Sequence, residues 1–509
     1  MLKRNLIANY VGQGWAALMG LAFVPLYIKY VGIEAYGLIG IFALLQAWLS
    51  LLDMGMTPTL SREMARFSGS TVSARSIRDL LRSIEIVALG VALVIAVGIW
   101  AASGWLASEW LRAEKLPVDS VAQAFAVMGA VTALRFVEGI YRSSIVGLQR
   151  QVLLNIINST MATIRGLGAI AILAWVSPTI RAFFIWQGLI SLATLPALAL
   201  VTYSALPPAD RGGRFSLDAL RDVGRFAGGM VTITLLALLL TQVDKILLSR
   251  LLKLSEYGYY TLAAVVAGAL YMLVGPITQA WFPRLSALHA SNNTASLIKT
   301  YHQGAQLVSV VMGSAAVVLI AFAEPILHLW TQDADLAHRT AILVSLLSLG
   351  NLLNGLMWIP YQTQLAYGWT GLAVRTNIVA VLIIVPAILW ITPHYGAVGA
   401  AWVWVSLNAG YVLIEIHFMH RRILTAEKWC WYIQDTFLPI LSAVVVALLS
   451  RWVMPSTVTV LEKCAFIALA SGATLAAASF AAPLVRRQIR EAISPFLASR
   501  NSKALWTRS

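Results

Sequence analysis

Long apolar runs dominate the hydrophobic pattern of the chain. A run of roughly 20 apolar residues can cross the hydrocarbon core of a bilayer as an α-helix, and the sequence contains about fourteen such runs. They cover residues 6–30, 36–60, 82–108, 118–148, 152–176, 181–204, 226–250, 257–283, 303–329, 338–366, 373–392, 396–419, 430–453 and 460–484. The pattern therefore predicts an all-α polytopic membrane protein.

Composition agrees with this class. The chain of 509 residues is 59% hydrophobic and 12% charged, whereas a soluble globular protein carries roughly 25% charged residues. The polar interruptions are too short to form a soluble domain, so function is expected to lie within the membrane. The net charge of +15 comes from basic residues concentrated in alternate loops, which is typical of membrane orientation and contact with anionic lipids. We therefore expect no nucleic-acid partner.

Lysine and arginine residues also predict the orientation of the chain. An even number of spans places both termini on one side of the membrane. The N-terminus, the even-numbered loops and the C-terminal tail hold about 24 of the 37 Lys and Arg residues, against about 9 in the odd-numbered loops. Because cytoplasmic loops carry this excess, both termini are predicted to be cytoplasmic. The first apolar run is too long for a signal peptide, and we expect it to be retained.

Internal similarity predicts two lobes. At an offset of about 221 residues, similar residues recur over four spans. The pairs are Gly37 with Gly258, Arg4 with Arg225, Arg62 with Arg284, Trp110 with Trp330, and Gly147 with Gly368. The predicted parts are an N-lobe of six helices over 1–210, a C-lobe of six helices with parallel repeat topology over 218–422, two extra helices over 428–485, and a basic cytoplasmic tail over 486–509. Two homologous bundles around a central cavity are typical of transporters.

Three stretches carry a family resemblance. They are YVGIEAYGLIGIFALLQAWLSLLDMGMTPTLSREMAR, the segment TQVDKILLSRLL with YGYYTLAA and WFPRLSAL after it, and HYGAVGAAWVWV. The chain resembles polysaccharide-repeat (O-antigen, Wzx-type) flippases of the multidrug/oligosaccharidyl-lipid/polysaccharide exporter superfamily. The lipid II flippase branch has a similar length, but its arginine-rich first helix is absent because NLIANYVGQGWAALMG carries no charge.

This resemblance implies a fold and a function. The expected fold is that of the MATE transporters and MurJ, with two lobes around a cavity. The expected activity moves an undecaprenyl-diphosphate-linked oligosaccharide across the bacterial inner membrane, for assembly of O-antigen, capsule or exopolysaccharide. Membrane lipids, a polymerase and chain-length proteins are the other partners that the resemblance implies. Neither a cofactor nor enzymatic activity is expected, and no ATP-binding motif occurs.

One predicted span carries three charges that hydrocarbon does not tolerate. Arg135, Glu138 and Arg142 would together cost on the order of 7 to 10 kcal/mol if they faced lipid. Their spacing places them on one helix face, which must therefore point inward. Arg165 on the next span makes the group net positive, as a diphosphate site requires. We expect the three arginines to bind the diphosphate and Glu138 to be their network partner; the alternative is a network that only braces helices.

Polar residues at helical spacing are candidates for contact with the sugars. They are Asn5, Asn9 and Gln13 on the first span, Asn155 and Asn158 on the fifth, and Asn351, Asn354 and Trp358 on the tenth. Amides can hydrogen-bond sugar hydroxyls, and an aromatic ring can stack on a sugar ring. The alternative for each residue is an ordinary hydrogen bond between membrane helices.

Charged residues near span ends are candidates for gating or ion coupling. These are Asp53, Asp244, Lys245 and Glu324. A proton or Na⁺ gradient would need a titratable carboxylate, for which Asp244 and Glu324 are the candidates. The alternative is that these residues only anchor the helices at the membrane interface.

Cysteine and histidine positions predict neither a disulfide nor a metal site. Cys430 and Cys464 lie at opposite ends of one predicted span, whereas a disulfide needs Cα atoms within about 7 Å. Glu415, His417 and His420 lack a spacing typical of metal ligands.

Two other functions remain open at this stage. An ion-coupled drug or small-molecule exporter of the same superfamily would be expected to line its cavity with carboxylates. A membrane-embedded polysaccharide polymerase or ligase would need a substantial periplasmic loop, and the longest predicted one, around SEWLRAEKLP, is short.

Overall fold

The structure is a computed structural model that describes residues 2–53, 56–68, 74–206, 212–217, 221, 242–455 and 459–491. Within these residues the chain is almost entirely helical. The helices are α1 (Leu2–Ala22), α2 (Val24–Leu52), α3 (Met56–Ser68), α4 (Ala74–Trp105), α5 (Val118–Gly147), α6 (Gln151–Trp175), α7 (Ile180–Ala205), α8 (Leu254–Ala290), α9 (Thr294–Ala321), α10 (Ala323–Thr331), α11 (Ala334–Leu356), α12 (Trp358–Ala366), α13 (Gly371–Gly410), α14 (Ile416–His420), α15 (Lys428–Cys430), α16 (Leu438–Val453) and α17 (Val460–Ala481). Turns of π-helix follow α4, α13 and α15. The predicted all-α class is confirmed.

Eleven helical stretches of the described chain are long and apolar enough to cross a membrane. Their outer faces carry exposed apolar side chains, such as Leu93, Val94 and Trp100 of α4, as expected where lipid is the solvent. The predicted span 226–250 lies mostly outside the described residues. The predicted spans 373–392 and 396–419 form one run in which Gly396, with a φ of 57°, separates two helical segments.

One span ends earlier in the structure than the sequence predicts. The predicted span 36–60 is too long, because α2 ends at Leu52 and a separate helix, α3, begins at Met56. Asp53 caps α3: its carboxylate accepts hydrogen bonds from the backbone nitrogen of Thr57 at 3.1 Å and from the Thr57 hydroxyl at 2.8 Å. Leu60 and Met64 of α3 are buried, whereas Arg62 is exposed. This helix is amphipathic, which hydropathy averaged along the chain does not separate from a span.

The chain divides into two compact units, Met1–Gly258 and Tyr259–Ser509. In the first unit a core of apolar side chains joins α3, α4, α5 and α7. In the second unit the largest core joins α8, α9, α11 and α12. The small residues Ala443, Ala447 and Ala478 pack the last two helices, α16 and α17, against α9. The predicted lobe bounds of 1–210 and 218–422 stay a prediction, as does the tail, which lies mostly outside the described residues.

Gly37 marks a close backbone approach in the first unit. A Cβ at Gly37 would lie 2.7 Å from the carbonyl oxygen of Leu254 and 3.4 Å from the backbone nitrogen of Gly258. A Cβ at Gly258 would in turn overlap the carbonyl oxygen of Ile33. The predicted repeat pairs these two glycines with each other, and the structure brings them into contact. Only glycine permits the two helices to approach this closely.

We predict that Gly37→Ala destabilises the protein. The added methyl meets a backbone oxygen that cannot rotate away, and such overpacking costs about 1–3 kcal/mol, more than the gain of up to about 1 kcal/mol that alanine brings to a helix. The matched control is Gly90→Ala in α4, where no atom lies within 4 Å of the new Cβ. Thermal unfolding in detergent should therefore show a lower Tm for Gly37→Ala than for the control. Equal Tm values would contradict this packing.

Candidate functional site

The predicted charged group is formed in the first unit. Glu138 of α5 is buried, and one of its carboxylate oxygens accepts a hydrogen bond at 2.9 Å from Nη2 of Arg142, one helical turn away. Nη1 of the same guanidinium donates to the side-chain oxygen of Asn158 on α6. Arg142 therefore connects two helices through a charge-assisted pair and an amide, and the structure brings together three residues that sequence spacing singled out.

Arg135 lies on the same face of α5 but has different partners. Its Nη2 donates to the side-chain oxygen of Gln187 on α7 at 3.0 Å. Its guanidinium carbon lies 4.8 Å from the centroid of the Phe42 ring on α2, a cation–π distance. Sequence analysis missed both Gln187 and Phe42. They come from distant parts of the chain, and neither residue type is unusual in a membrane helix.

Arg165 completes the group from α6. It lies within electrostatic range of Glu138, Arg142 and Tyr27. Its Nε and Nη2 atoms are buried and have no hydrogen-bond partner among the described residues, and the same holds for Nε of Arg135 and Oε1 of Glu138. One carboxylate therefore faces three guanidinium groups, and buried N–H donors are left over. Donors of this kind fit an anion with several oxygen atoms.

The polar residues of α1 and α6 hydrogen-bond to each other. Nδ2 of Asn155 donates to Oδ1 of Asn9 at 2.6 Å, and Nδ2 of Asn9 donates to Gln151 at 2.6 Å. These bonds hold α1 against α6, which matches the interhelical alternative for Asn9 and Asn155. Gln13 is exposed. The side chain of Asn5 lies outside the described residues.

The tenth-span candidates belong to an amide and aromatic network in the second unit. Asn351 accepts hydrogen bonds from the Tyr271 hydroxyl at 3.2 Å and from the Trp404 indole at 3.0 Å. Asn354 accepts from Tyr271 at 3.1 Å and donates to Asn408 at 2.9 Å. The Trp358 ring stacks on that of Tyr271, with centroids 5.4 Å apart.

A small cleft of about 190 Å³ opens beside this network. Its lining includes Asn354 and Trp358 together with Asn377, Tyr411 and Glu415. Glu415 is buried and accepts a hydrogen bond from Gln364 at 3.0 Å. The cleft therefore combines amides, aromatic rings and one carboxylate. Sequence analysis singled out only the first two residues for this role.

The four gating candidates have local partners. Asp53 caps α3, and burial raises the pKa of its carboxyl group, against the lowering effect of its hydrogen bonds with Thr57. Asp244 pairs with the adjacent Lys245 at 3.6 Å. Glu324 lies 3.3 Å from His338, and both side chains are at least half exposed. A gating or coupling role for any of them stays a prediction.

The fold is similar to that of solved membrane transport proteins. It aligns with a lipid II flippase MurJ in an inward closed conformation at 13% identity and a TM-score of 0.65, over 96% of this chain and 99% of that one. An inward-facing multidrug resistance MATE transporter aligns at 15% identity and a TM-score of 0.63, over 81% and 96%. A MOP superfamily transporter from Pyrococcus furiosus aligns at 14% identity and a TM-score of 0.51, over 84% and 95%.

The sequence then gives the family. Residues 2–289 match the profile of the polysaccharide biosynthesis protein family, and the chain belongs to that family. No curated protein matches the sequence. The family resemblance seen in the sequence is confirmed, and so is the expected fold of MATE transporters and MurJ. The proteins that share this fold are transporters and flippases, not enzymes.

We predict that Glu138→Gln lowers stability through charge rather than volume. The amide keeps the shape of the side chain but leaves Arg142 and Arg165 without their carboxylate, and removing one partner of a buried pair costs about 3–5 kcal/mol. Glu324→Gln is the matched control, because Glu324 is half exposed, and its effect should stay within about 0.5 kcal/mol. The measurement is thermal unfolding of both variants in detergent. Similar Tm values would show that Glu138 does not balance the arginines.

Proposed function

We propose that this protein is a flippase that moves an undecaprenyl-diphosphate-linked oligosaccharide repeat across the bacterial inner membrane by alternating access. The polymer served would be O-antigen, capsule or exopolysaccharide, and both termini would be cytoplasmic. Membership of the polysaccharide biosynthesis family and the flippase fold support the substrate class. The observation that carries the proposal is the cationic group of Arg135, Arg142 and Arg165 around the single carboxylate of Glu138. Nε of Arg135 and both Nε and Nη2 of Arg165 are buried there without a hydrogen-bond partner among the described residues.

The diphosphate is the part of the substrate that these residues can recognise. A diphosphate carries at least two negative charges and many acceptor oxygens, and guanidinium groups bind such oxygens in pairs. Nε and Nη2 lie on the same edge of the Arg165 guanidinium, the geometry that binds two oxygens side by side. Binding there satisfies the buried donors and compensates the excess charge.

Glu138 competes with the diphosphate for Arg142 in the proposed transport cycle. In this structure its carboxylate holds Arg142 at 2.9 Å. An arriving diphosphate competes with Glu138 for the same guanidinium, so binding and release exchange one ionic partner for another. Arg142 is then never left without an anionic partner in a medium of low dielectric constant. The polyprenyl chain needs no polar partner and stays in lipid.

The proposal also assigns contacts for the sugars and an energy source for transport. We propose the cleft of Asn354 and Trp358 as a contact for sugar rings, because amides and aromatic faces suit carbohydrates. For Asn9, Asn155, Asn158 and Asn351, sugar contact is proposed only when the hydrogen bonds that they make in this structure open. Asn5 and Gln13 are proposed as further sugar contacts on α1. A proton or Na⁺ gradient would drive the cycle through Asp244 or Glu324, and a polymerase with chain-length proteins would take the product.

We predict that Arg135→Ala, Arg142→Ala and Arg165→Ala each abolish surface polysaccharide, because each removes donors for the diphosphate. Arg165→Lys should also fail, since an ammonium group cannot bind two oxygens side by side. Arg181→Ala is the matched control: this arginine is exposed and bonds only Gln123 at 3.0 Å among the described residues. Surface polysaccharide is measured in a deletion strain, with membrane levels of each variant checked by immunoblot. Normal polysaccharide in all three alanine variants would refute the diphosphate site.

The second candidate function is an ion-coupled drug exporter. The likeness to MATE transporters supports it, as does the buried carboxylate of Glu415 beside Trp358 and Tyr411, because a cationic drug suits an aromatic cleft with one negative charge.

We predict that Glu415→Gln separates the two functions. Under the flippase proposal, the deletion strain keeps its resistance to cationic drugs. Glu415→Gln still restores surface polysaccharide, because an amide at this position of the cleft can hydrogen-bond sugar hydroxyls as the carboxylate does. Minimum inhibitory concentrations and surface polysaccharide are measured in parallel. Drug sensitivity that the wild type reverses and Glu415→Gln does not would favour the exporter.

A further inference from the structure

Another buried polar group lies within the second unit. His302 of α9 is 7% exposed, and its Nδ1 donates to the carboxylate of Asp435, which is fully buried. The other Asp435 oxygen accepts a hydrogen bond at 2.9 Å from Gln306, one turn after His302. The side-chain oxygen of Gln306 accepts from the backbone nitrogen of Leu484 at 2.9 Å. The imidazole ring is therefore fixed by a chain of hydrogen bonds.

The other ring nitrogen of His302 faces an unusual partner. In the neutral ring with Nδ1 donating to Asp435, Nε2 carries a lone pair, and this nitrogen lies 3.0 Å from a carboxylate oxygen of Glu427. Two acceptors at this distance need a cation between them, either a proton or a metal ion. Cys430 lies one helical turn after Glu427. Its sulfur, a ring nitrogen of His302 and a Glu427 oxygen all lie within 4.8 Å of one another.

We propose that His302, Glu427 and Cys430 bind a Zn²⁺ ion. Nitrogen, oxygen and sulfur ligands in one group suit zinc, with bonds of about 2.0–2.3 Å to each. A proton shared by His302 and Glu427 has no need of a thiol beside it, whereas a thiolate is a strong zinc ligand. Asp435 accepts the far N–H of the ligand histidine, an arrangement that recurs in zinc sites because it fixes the ring and its tautomer.

The neighbouring polar side chains are already satisfied. Nδ1 of His420 donates to the carbonyl oxygen of Leu424 at 2.9 Å, and its Nε2 accepts from the Tyr301 hydroxyl at 3.1 Å. His420 is therefore not a ligand, and the fourth zinc position is left for water. Sequence analysis predicted no metal site because it considered only the two cysteines and the spacing of Glu415, His417 and His420. The ligands of this site lie 125 residues apart in the chain.

Such a site connects α9 to the helical run that leads into the last two helices of the second unit. His302 belongs to α9, whereas Glu427 and Cys430 lie at the beginning of the helical run that continues into α16. A zinc ion there adds a polar link to the alanine packing of α16 and α17 on α9. The proposal is independent of the flippase activity, because none of its ligands belongs to the cationic group.

The test uses the full chain, purified in detergent without a histidine tag and freed of metal with a chelator. Zn²⁺ alone is then added, and bound metal is counted by mass spectrometry after desalting. We expect one Zn²⁺ per chain and a higher Tm. Co²⁺ in place of Zn²⁺ should give a thiolate charge-transfer band. His302→Gln and Cys430→Ser should lose the tight site, Cys430→Ser should lose the band, and Asp435→Asn should weaken zinc binding by about 10- to 100-fold.

Two matched controls exclude binding elsewhere. Cys464→Ser removes the other cysteine, which is exposed, and His338→Gln removes an exposed histidine that also faces a carboxylate. Both should bind zinc as the wild type does. The Cys430 thiol is partly exposed, so Cys430→Ser is expected to fold even if His302→Gln does not. Wild-type protein that binds no zinc, or Cys430→Ser that binds it unchanged, would overturn the proposal and leave a shared proton between His302 and Glu427.

Discussion

The ion pair between Glu138 and Arg142 is the interaction on which the first unit depends. A charge cannot remain in hydrocarbon without a partner, so α5 must turn this face away from lipid. That orientation brings Arg135 to Gln187 on α7 and Arg142 to Asn158 on α6. The packing of three membrane helices is thereby tied to the same charges that form the candidate site. A substitution or a ligand that alters these charges therefore also alters how α5, α6 and α7 pack against one another.

Hydropathy predicted most of the fold, since a lipid solvent permits little besides apolar helices in which backbone groups bond internally. It could not place the breaks. The end of α2 depends on Asp53 capping the next helix, and the turn within α13 depends on the backbone conformation of Gly396. Both are single-residue effects that an average over about 20 residues removes. Repeat similarity singled out Gly37 and Gly258 as equivalent positions but did not predict their contact, which only the packing of the helices reveals.

The members of the candidate site on α5 and α6 were predictable from the sequence, whereas most of their contacts with other helices were not. Spacing within α5 placed three charges on a common face, because helical geometry fixes which residues are neighbours. Spacing along the chain does not predict contacts between different helices, so the contacts of Arg135 with Gln187 and Phe42 were missed. The buried group around His302 was missed for the same reason: its ligands are far apart in the chain and near one another only after α9 packs against the helical run that leads into α16.

The two polar networks differ in a way that bears on motion. In the second unit, Asn351 and Asn354 are held by Tyr271, Trp404 and Asn408, so opening that network would sacrifice several bonds at once. In the first unit, Arg165 keeps buried donors without protein partners. An incoming anion there gains hydrogen bonds without first breaking any at those atoms. Donors without partners favour an exchange of hydrogen-bond partners, whereas amides whose hydrogen bonds are all made favour rigidity. Among the described residues, the cationic group is therefore where ligand binding can most readily change the packing of helices.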